Sequence, residues 1–284
     1  MLAPIQDYII DVLPYSLAYF AATLLLLFIA KFARDLTTVG LDDDKEITEK
    51  DNVAFGLYTA GYYLGVGLAL IGVLMSDSPS LGHGLLAMLQ YGGTAIVLMG
   101  VSYTLSAKIY LPKMNVMKEL VEKNIAVALF LVGRFVFAGL NIFAAVYGEG
   151  FWFTSFVYFL LGELGCFIAF HIYCWITPYN DVKGIQEGKA AVGMVTAGFN
   201  IAVGILALNA LWGDFMGYQV MLLDFAFWFF GGLALLLVFR SVGSRLMFPK
   251  SNLTKEIYTD NNIGAGAIMM ATYWVMAGVI VVVF

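Results

Sequence analysis

Apolar residues in this chain come in long unbroken runs separated by short polar connections, with neither the alternation of a half-buried strand nor the one-sided stripe of a soluble helix. Eight runs reach the length of about 20 residues that a helix needs to cross a hydrocarbon core: Val12 to Phe32, Asn52 to Met75, Leu85 to Ala107, Asn124 to Tyr147, Phe151 to Trp175, Ala190 to Trp212, Gln219 to Phe239 and Ile263 to Phe284. Within lipid a helix satisfies its own backbone donors and acceptors. The pattern therefore predicts an all-α, polytopic membrane protein with eight transmembrane helices.

The connections alternate in charge. Fourteen of the fifteen Lys and Arg residues fall in four of them: Lys31, Arg34, Lys45 and Lys50; Lys108, Lys113, Lys118 and Lys123; Lys183 and Lys189; Arg240, Arg245, Lys250 and Lys255. The N-terminal tail and the connections near Ser76 to Gly82, Gly148 to Gly150 and Gly213 to Gly217 carry none. Basic connections stay on the cytoplasmic side, so the expected location is a bacterial inner membrane with both termini non-cytoplasmic. The acidic run Asp42, Asp43 and Asp44 lies on the basic side and reads as a solvated loop.

Composition narrows the class further. With 61% hydrophobic and 12% charged residues and a mean hydropathy of +0.86, the chain lacks the polar surface to cover a soluble globule. A net charge of -5 and no basic face outside short loops exclude nucleic acid as a partner. Cys166 and Cys174 share one apolar run and say nothing about redox compartment. The first run is long enough to span and follows no basic segment, so it is expected to be a membrane helix and no cleaved signal.

The even-numbered runs share small residues at fixed offsets from their first polar position. These read Asn52, Ala54, Gly56, Gly61, Gly67; Asn124, Ala126, Ala128, Gly133, Gly139; Lys189, Ala191, Gly193, Gly198, Gly204; and Asn262, Gly264, Gly266, Ala271, Ala277. The segment LPKMNVMKELVEKNIA before the fourth run also resembles FPKSNLTKEIYTDNNIG before the eighth. Two tandem four-helix units follow, 1–147 and 151–284, each with an even number of spans and so inserted in the same orientation. The small residues fit close helix packing, with Gly61, Gly67, Gly133, Gly139, Gly198 and Gly204 as its markers; a glycine-lined path is the functional alternative. Each entrance Asn is expected to cap its helix.

An ionisable side chain within a span is costly and is a functional hypothesis by default. Arg134, Glu163 and Asp224 qualify as an intramembrane polar core. Arg134 and Glu163 stand about equally far from the short turn between their helices, which places them at matching depth; a structural ion pair, a gate or a relay, and no contact all remain open. Asp224 lies near the outer end of its span, either solvated or at a pore mouth. Asn141, Asn200 and Asn209 fit interhelical hydrogen bonds. Cys166 and His171 are five apart and do not share a helix face, so no metal or other cofactor is expected, and no catalytic constellation is visible.

The stretches ITPYNDVKGIQEGKAAVGMVTAGFNIAVGI and SRLMFPKSNLTKEIYTDNNIGAGAIM resemble the YjfL-type inner-membrane proteins, a domain of unknown function numbered 350. Thr177, Pro178 and Asp181 fall on that family's Thr-Pro and acidic positions, whereas the first half has TTVGLDDD there, and Lys189 replaces the usual Asn. The resemblance implies two fused four-helix units, a membrane location and a weak link to membrane stress. Two functions stay open. One is a channel or transporter for an ion or small solute. The other is a structural or stress-response membrane component whose loops dock a cytoplasmic partner; an enzyme is not expected. The partners considered are the lipid bilayer, further copies of the chain and such a stress-response protein. The topology is directly testable: alkaline phosphatase fused after Phe284 is expected to be active and a cytoplasmic fluorescent reporter there dark, and the reverse result would refute the orientation.

Overall fold

The computed structural model describes residues 12–38, 41–76, 78–147, 152–213 and 215–284. Among them eight helices are long and apolar enough to cross a membrane. They are α1 (Leu13–Asp35), α2 (Val53–Leu74), α3 (Leu81–Leu105), α5 (Ile125–Tyr147), α6 (Trp152–Ile176), α8 (Ala190–Leu211), α9 (Tyr218–Met247) and α10 (Ile263–Val283); the short helices α4 (Val116–Val121) and α7 (Asp181–Gln186) precede α5 and α8. The expected spans are all present. The largest difference is at α9, which continues past Phe239 to Met247 and carries Arg240 inside the helix, because no Pro stands between Phe239 and Phe248-Pro249 to end it. The expected first turn of the outer connection, Gly148 to Gly150, and the N-terminal tail lie outside the described residues.

The helices form two layers. α2, α5, α8 and α10 stand side by side in a parallel row, with α8 the most enclosed; α1, α3, α6 and α9 run the opposite way and cover one face of that row. Lipid tails are as apolar as leucine, so close backbone contact has to supply the attraction between neighbours. Glycine permits that contact. A Cβ added at Gly133 would lie 2.5 Å from Ala197 Cα, at Gly198 2.6 Å from Met270 Cα, and at Gly61 2.9 Å from Val132 Cα. Counted from each entrance residue, offset nine meets offset eight of the next helix all three times. Gly139 and Gly204 pack back against Gly65 and Phe137, again at one shared offset. The small-residue pattern is thus the print of one interface built three times. Gly67 departs from the expectation, since a Cβ there meets nothing within 4 Å; α2 begins the row and has no preceding helix to receive it.

All four basic-side connections share one device. Asp42, Asn115, Asn180 and Asn252 each accept from the backbone N–H of a lysine three residues on, Lys45, Lys118, Lys183 or Lys255. A five- or six-residue helical turn follows, then a residue with positive φ, Asp51, Lys123, Gly188 or Asn261, and then the next span. Asn52, Asn124 and Asn262 cap α2, α5 and α10 as expected, and their amides also reach Glu46, Glu119 and Glu256. The third copy has Lys189 and Gly184 at these two positions, so the Asn and its Glu are absent together. Lysine cannot accept a hydrogen bond; Asn261 of the following connection supplies the cap instead, accepting from Ala191 N at 2.9 Å. Each collar also leans on the next, through Asn52 to the Leu120 carbonyl, Asn124 to Ile185 and Lys189 to Tyr258.

A pair of glycine substitutions separates packing from helix propensity. Gly133→Ala is expected to lower the thermal midpoint by several degrees, because its Cβ would press on Ala197 backbone. Gly67→Ala should leave stability unchanged or raise it by up to about 1 kcal/mol, the helix preference of Ala over Gly. Thermal unfolding of the purified variants in one detergent checks both.

Candidate intramembrane charge site

Arg134 is the tenth residue of the 23-residue α5, and Glu163 the twelfth of the 25-residue α6. Both stand near mid-helix, and they touch: Arg134 Nη2 donates to Glu163 Oε2 at 2.6 Å. Neither is reachable by solvent, with 1% and 5% of their surfaces exposed. An isolated guanidinium could not persist at this depth; the carboxylate and three further acceptors make it tolerable. Arg134 Nε donates to Ser106 Oγ at 3.0 Å, Nη1 to Cys166 Sγ at 2.8 Å, and Nη2 also reaches Ser102 Oγ at 3.5 Å. The rings of Tyr110 and Phe137 lie 4.2 and 4.6 Å from the guanidinium carbon, adding cation–π attraction where water is absent.

Four helices contribute. Ser102 belongs to α3 and Ser106 opens the π-helical turn Ser106–Tyr110 that follows it, so the two serines, four residues apart, share one face, and the turn swings Tyr110 against the charge. Cys166 lies three residues after Glu163 on the same face of α6 and passes the network to Asn200 of α8, whose Oδ1 accepts from Sγ at 3.7 Å. Asn200 Nδ2 donates to the Thr196 carbonyl at 2.8 Å. Two turns further along α5, Asn141 donates to the Phe159 carbonyl at 2.9 Å and occupies the space that a side chain at Gly162 would need. Three polar atoms of this cluster stay without a hydrogen-bond partner, Glu163 Oε1, Asn141 Oδ1 and the Tyr110 hydroxyl.

Of the three expected core residues, Arg134 and Glu163 come together and Asp224 does not join them. Asp224 sits exposed in the second turn of α9, beside Asn209 and Trp212 in a small recess at the end opposite the basic loops. Its short distance from the helix start leaves it within reach of water, so it needs no buried partner. The acidic run also needs correction. Asp42 and Asp44 are exposed, but Asp43 is nearly buried and accepts a hydrogen bond from the buried guanidinium of Arg34. Burial pushes its carboxyl up and Arg34 only partly offsets that. Among the described residues no group of three His, Cys, Asp or Glu side chains is placed to hold a metal. His171 bonds the Phe167 carbonyl four residues back.

Ser102, Ser106 and Tyr110 escaped the sequence analysis, as did the contact of Cys166 with Arg134. Their signal was present as a polar stripe at i, i+4 and i+8 in the third span and as an i, i+3 pair with Glu163. Small hydroxyls and thiols are common in membrane helices, and only the tertiary contact distinguishes these. The pair makes a direct prediction. Glu163→Gln leaves Arg134 charged and unpaired, and is expected to cost about 3–5 kcal/mol of stability. Arg134→Met with Glu163→Gln should recover most of the folded yield; purely additive losses in this double-mutant cycle would reject the coupling.

The charge site stands where one run of four spans gives way to the next, and comparison with known proteins divides the chain at the same place. Over 241 residues the chain is 25% identical to a UPF0719 transmembrane protein of Aquifex aeolicus (strain VF5), covering 81% of this chain and 85% of that protein. No solved structure matches it. The model of the Domain of Unknown Function family DUF350 matches twice, at residues 8–146 and 148–284. The chain therefore belongs to the DUF350 family and carries two of its units in tandem.

Proposed function

We propose that the protein is a channel or transporter for an ion or small solute, not an enzyme, and that Arg134 and Glu163 form a relay the solute's charge has to pass at mid-depth. The repeat itself supports this reading. Ten residues after the four entrance positions stand Tyr62, Arg134, Phe199 and Thr272, and only one of these is charged. The same helix row closes at the other places without a guanidinium, so packing does not require one. A buried ion pair gains little over apolar residues of the same volume, because dehydrating two charges offsets most of their attraction. Retaining one at the meeting of the two units fits a role in which the charge is used.

On this reading the basic loops face the cytoplasm of a bacterial inner membrane and both termini face away from it. A solute bearing positive charge would displace Arg134 from Glu163, whose Oε1 is an acceptor already free, and one bearing negative charge would take the place of the carboxylate. The tight backbone seams of the helix row favour the other reading, a structural membrane component, and flux separates the two. Protein reconstituted in liposomes is to be assayed under gradients of protons, alkali cations and polyamines. Wild type is expected to carry one of them, and the folded Arg134→Met, Glu163→Gln double variant to fall at least tenfold below it. Wild-type flux in the double variant, or no flux in any gradient, would overturn the proposal.

A further inference from the structure

At the basic end, the link from α6 to α7, the last turns of α9 and the first half of α10 enclose a second polar cluster. Arg240 Nη2 donates to Thr177 Oγ1 at 2.7 Å, and the guanidinium carbon lies 4.5 Å from the centre of the Tyr173 ring. Tyr173 donates its hydroxyl to Asp181 Oδ1 at 3.4 Å. Asp181 and Tyr273 are 1% and 2% exposed. Three buried atoms nonetheless have no hydrogen-bond partner: Arg240 Nη1, Asp181 Oδ2 and the Tyr273 hydroxyl. Arg240 and Tyr273 line a recess of about 230 Å³, bordered also by Tyr179 and Thr254. Pro178 and Tyr179 separate it from a wider opening of about 440 Å³ lined by Thr177 and Asp181. Unpaired donors beside a cavity are costly unless something fills them.

The first unit shows what fills such a place. Asp43 and Asp181 are equivalent, each one residue past the cap of its short turn, Asp42 or Asn180. Asp43 sits on the guanidinium of Arg34, which lies 5.3 Å from the centre of the Tyr63 ring. In the second unit the guanidinium comes from α9, its Nη2 bonds the Thr177 hydroxyl and the aspartate is held by a tyrosine, so neither terminal nitrogen of Arg240 bonds a carboxylate. Nη1 is unpartnered in both arginines, but only Arg240 lines a recess. We propose that this recess binds a small carboxylate, seated on Arg240 as Asp43 is seated on Arg34, while Asp181 carries a proton.

The proton follows from the surroundings. A carboxylate on Arg240 would stand across Pro178 and Tyr179 from Asp181 and repel its ionised form, and the buried Asp181 is pushed up to about 7, chiefly by loss of water and only partly countered by Arg240. The groups facing it are Tyr173 and Cys174 of α6, Tyr179 of the link, Arg240 of α9 and Tyr273 of α10. Lys183 on its own helix pairs with Glu187, Lys189 is held by Glu187 and the Tyr258 carbonyl, and the first turns of α5 carry no charge. With a folded-state value raised to about 7, Asp181 is protonated below about pH 6 and ionised by pH 8. Affinity should therefore be highest in acid and fall about tenfold from pH 6 to pH 8, with close to one proton taken up per anion bound at pH 8.

Calorimetry on the purified full-length protein with acetate and succinate, in buffers of different ionisation enthalpy, reads both quantities without any flux measurement, so it stands apart from the transport reading. Arg240→Met is expected to weaken binding at least tenfold. Asp181→Asn should bind equally at pH 6 and pH 8 with no proton uptake. Should Arg240→Met fail to fold, Tyr273→Phe removes one unpartnered hydroxyl without changing shape and is expected to weaken binding a few-fold. No binding of either carboxylate to wild type, unchanged affinity in the folded Arg240→Met or in Tyr273→Phe, the same pH dependence in Asp181→Asn, or tighter binding of phosphate would overturn the assignment.

Discussion

Everything in this protein rests on how closely α2, α5, α8 and α10 can approach one another. No hydrophobic effect drives helices together inside lipid, so the row is held by dispersion between surfaces that touch backbone to backbone. That contact needs a residue without a side chain on one partner, and Gly61, Gly133 and Gly198 provide it at the same offset along three successive helices. Repeating one interface has a consequence for direction. Neighbours in the row must be parallel, so an antiparallel helix has to return the chain each time, and those returning helices become the second layer. The collar at the basic end serves the same geometry. A short turn, a positive-φ residue and an Asn cap set where each span begins, which keeps the glycines in register with the helix beside them.

Against that regular frame the exceptions carry the chemistry. Arg134 takes a position filled by Tyr, Phe or Thr in the other copies, and it brings in Glu163, Cys166, Ser102 and Ser106 as acceptors from two further helices. Lys189 takes the place of a capping Asn, which leaves α8 to be capped from the next connection by Asn261. Arg34 with Asp43 and Arg240 near Asp181 solve the burial of a guanidinium at the basic end in different ways: Asp43 sits on Arg34 Nη2 and the Thr177 hydroxyl on Arg240 Nη2. Both leave Nη1 without a partner, and only Arg240 lines a recess. The two units of this DUF350 protein are alike in backbone and unlike in charge, as expected when a duplicated scaffold keeps its packing and its halves diverge where packing does not dictate the residue.

Helix number, span position and the repeat were legible in the sequence because each follows from a local rule. About 20 apolar residues make a span whatever surrounds it, and a small residue at a fixed offset records a contact that recurs. The pairing of Arg134 with Glu163 was legible too, since a short turn and equal distances from it leave little freedom in depth. Tertiary structure alone decided which polar residues turn inward. Asp43 looks like one of three solvated acids until α1 brings Arg34 to it, and Arg240 looks like a loop cation until α9 is seen to run on to Met247 and carry it over Tyr173. Ser102, Ser106 and Cys166 are ordinary membrane-helix residues except for the face they occupy. Burial of a polar group depends on rotation about the helix axis relative to neighbours distant in sequence, and a hydropathy pattern averages that rotation away.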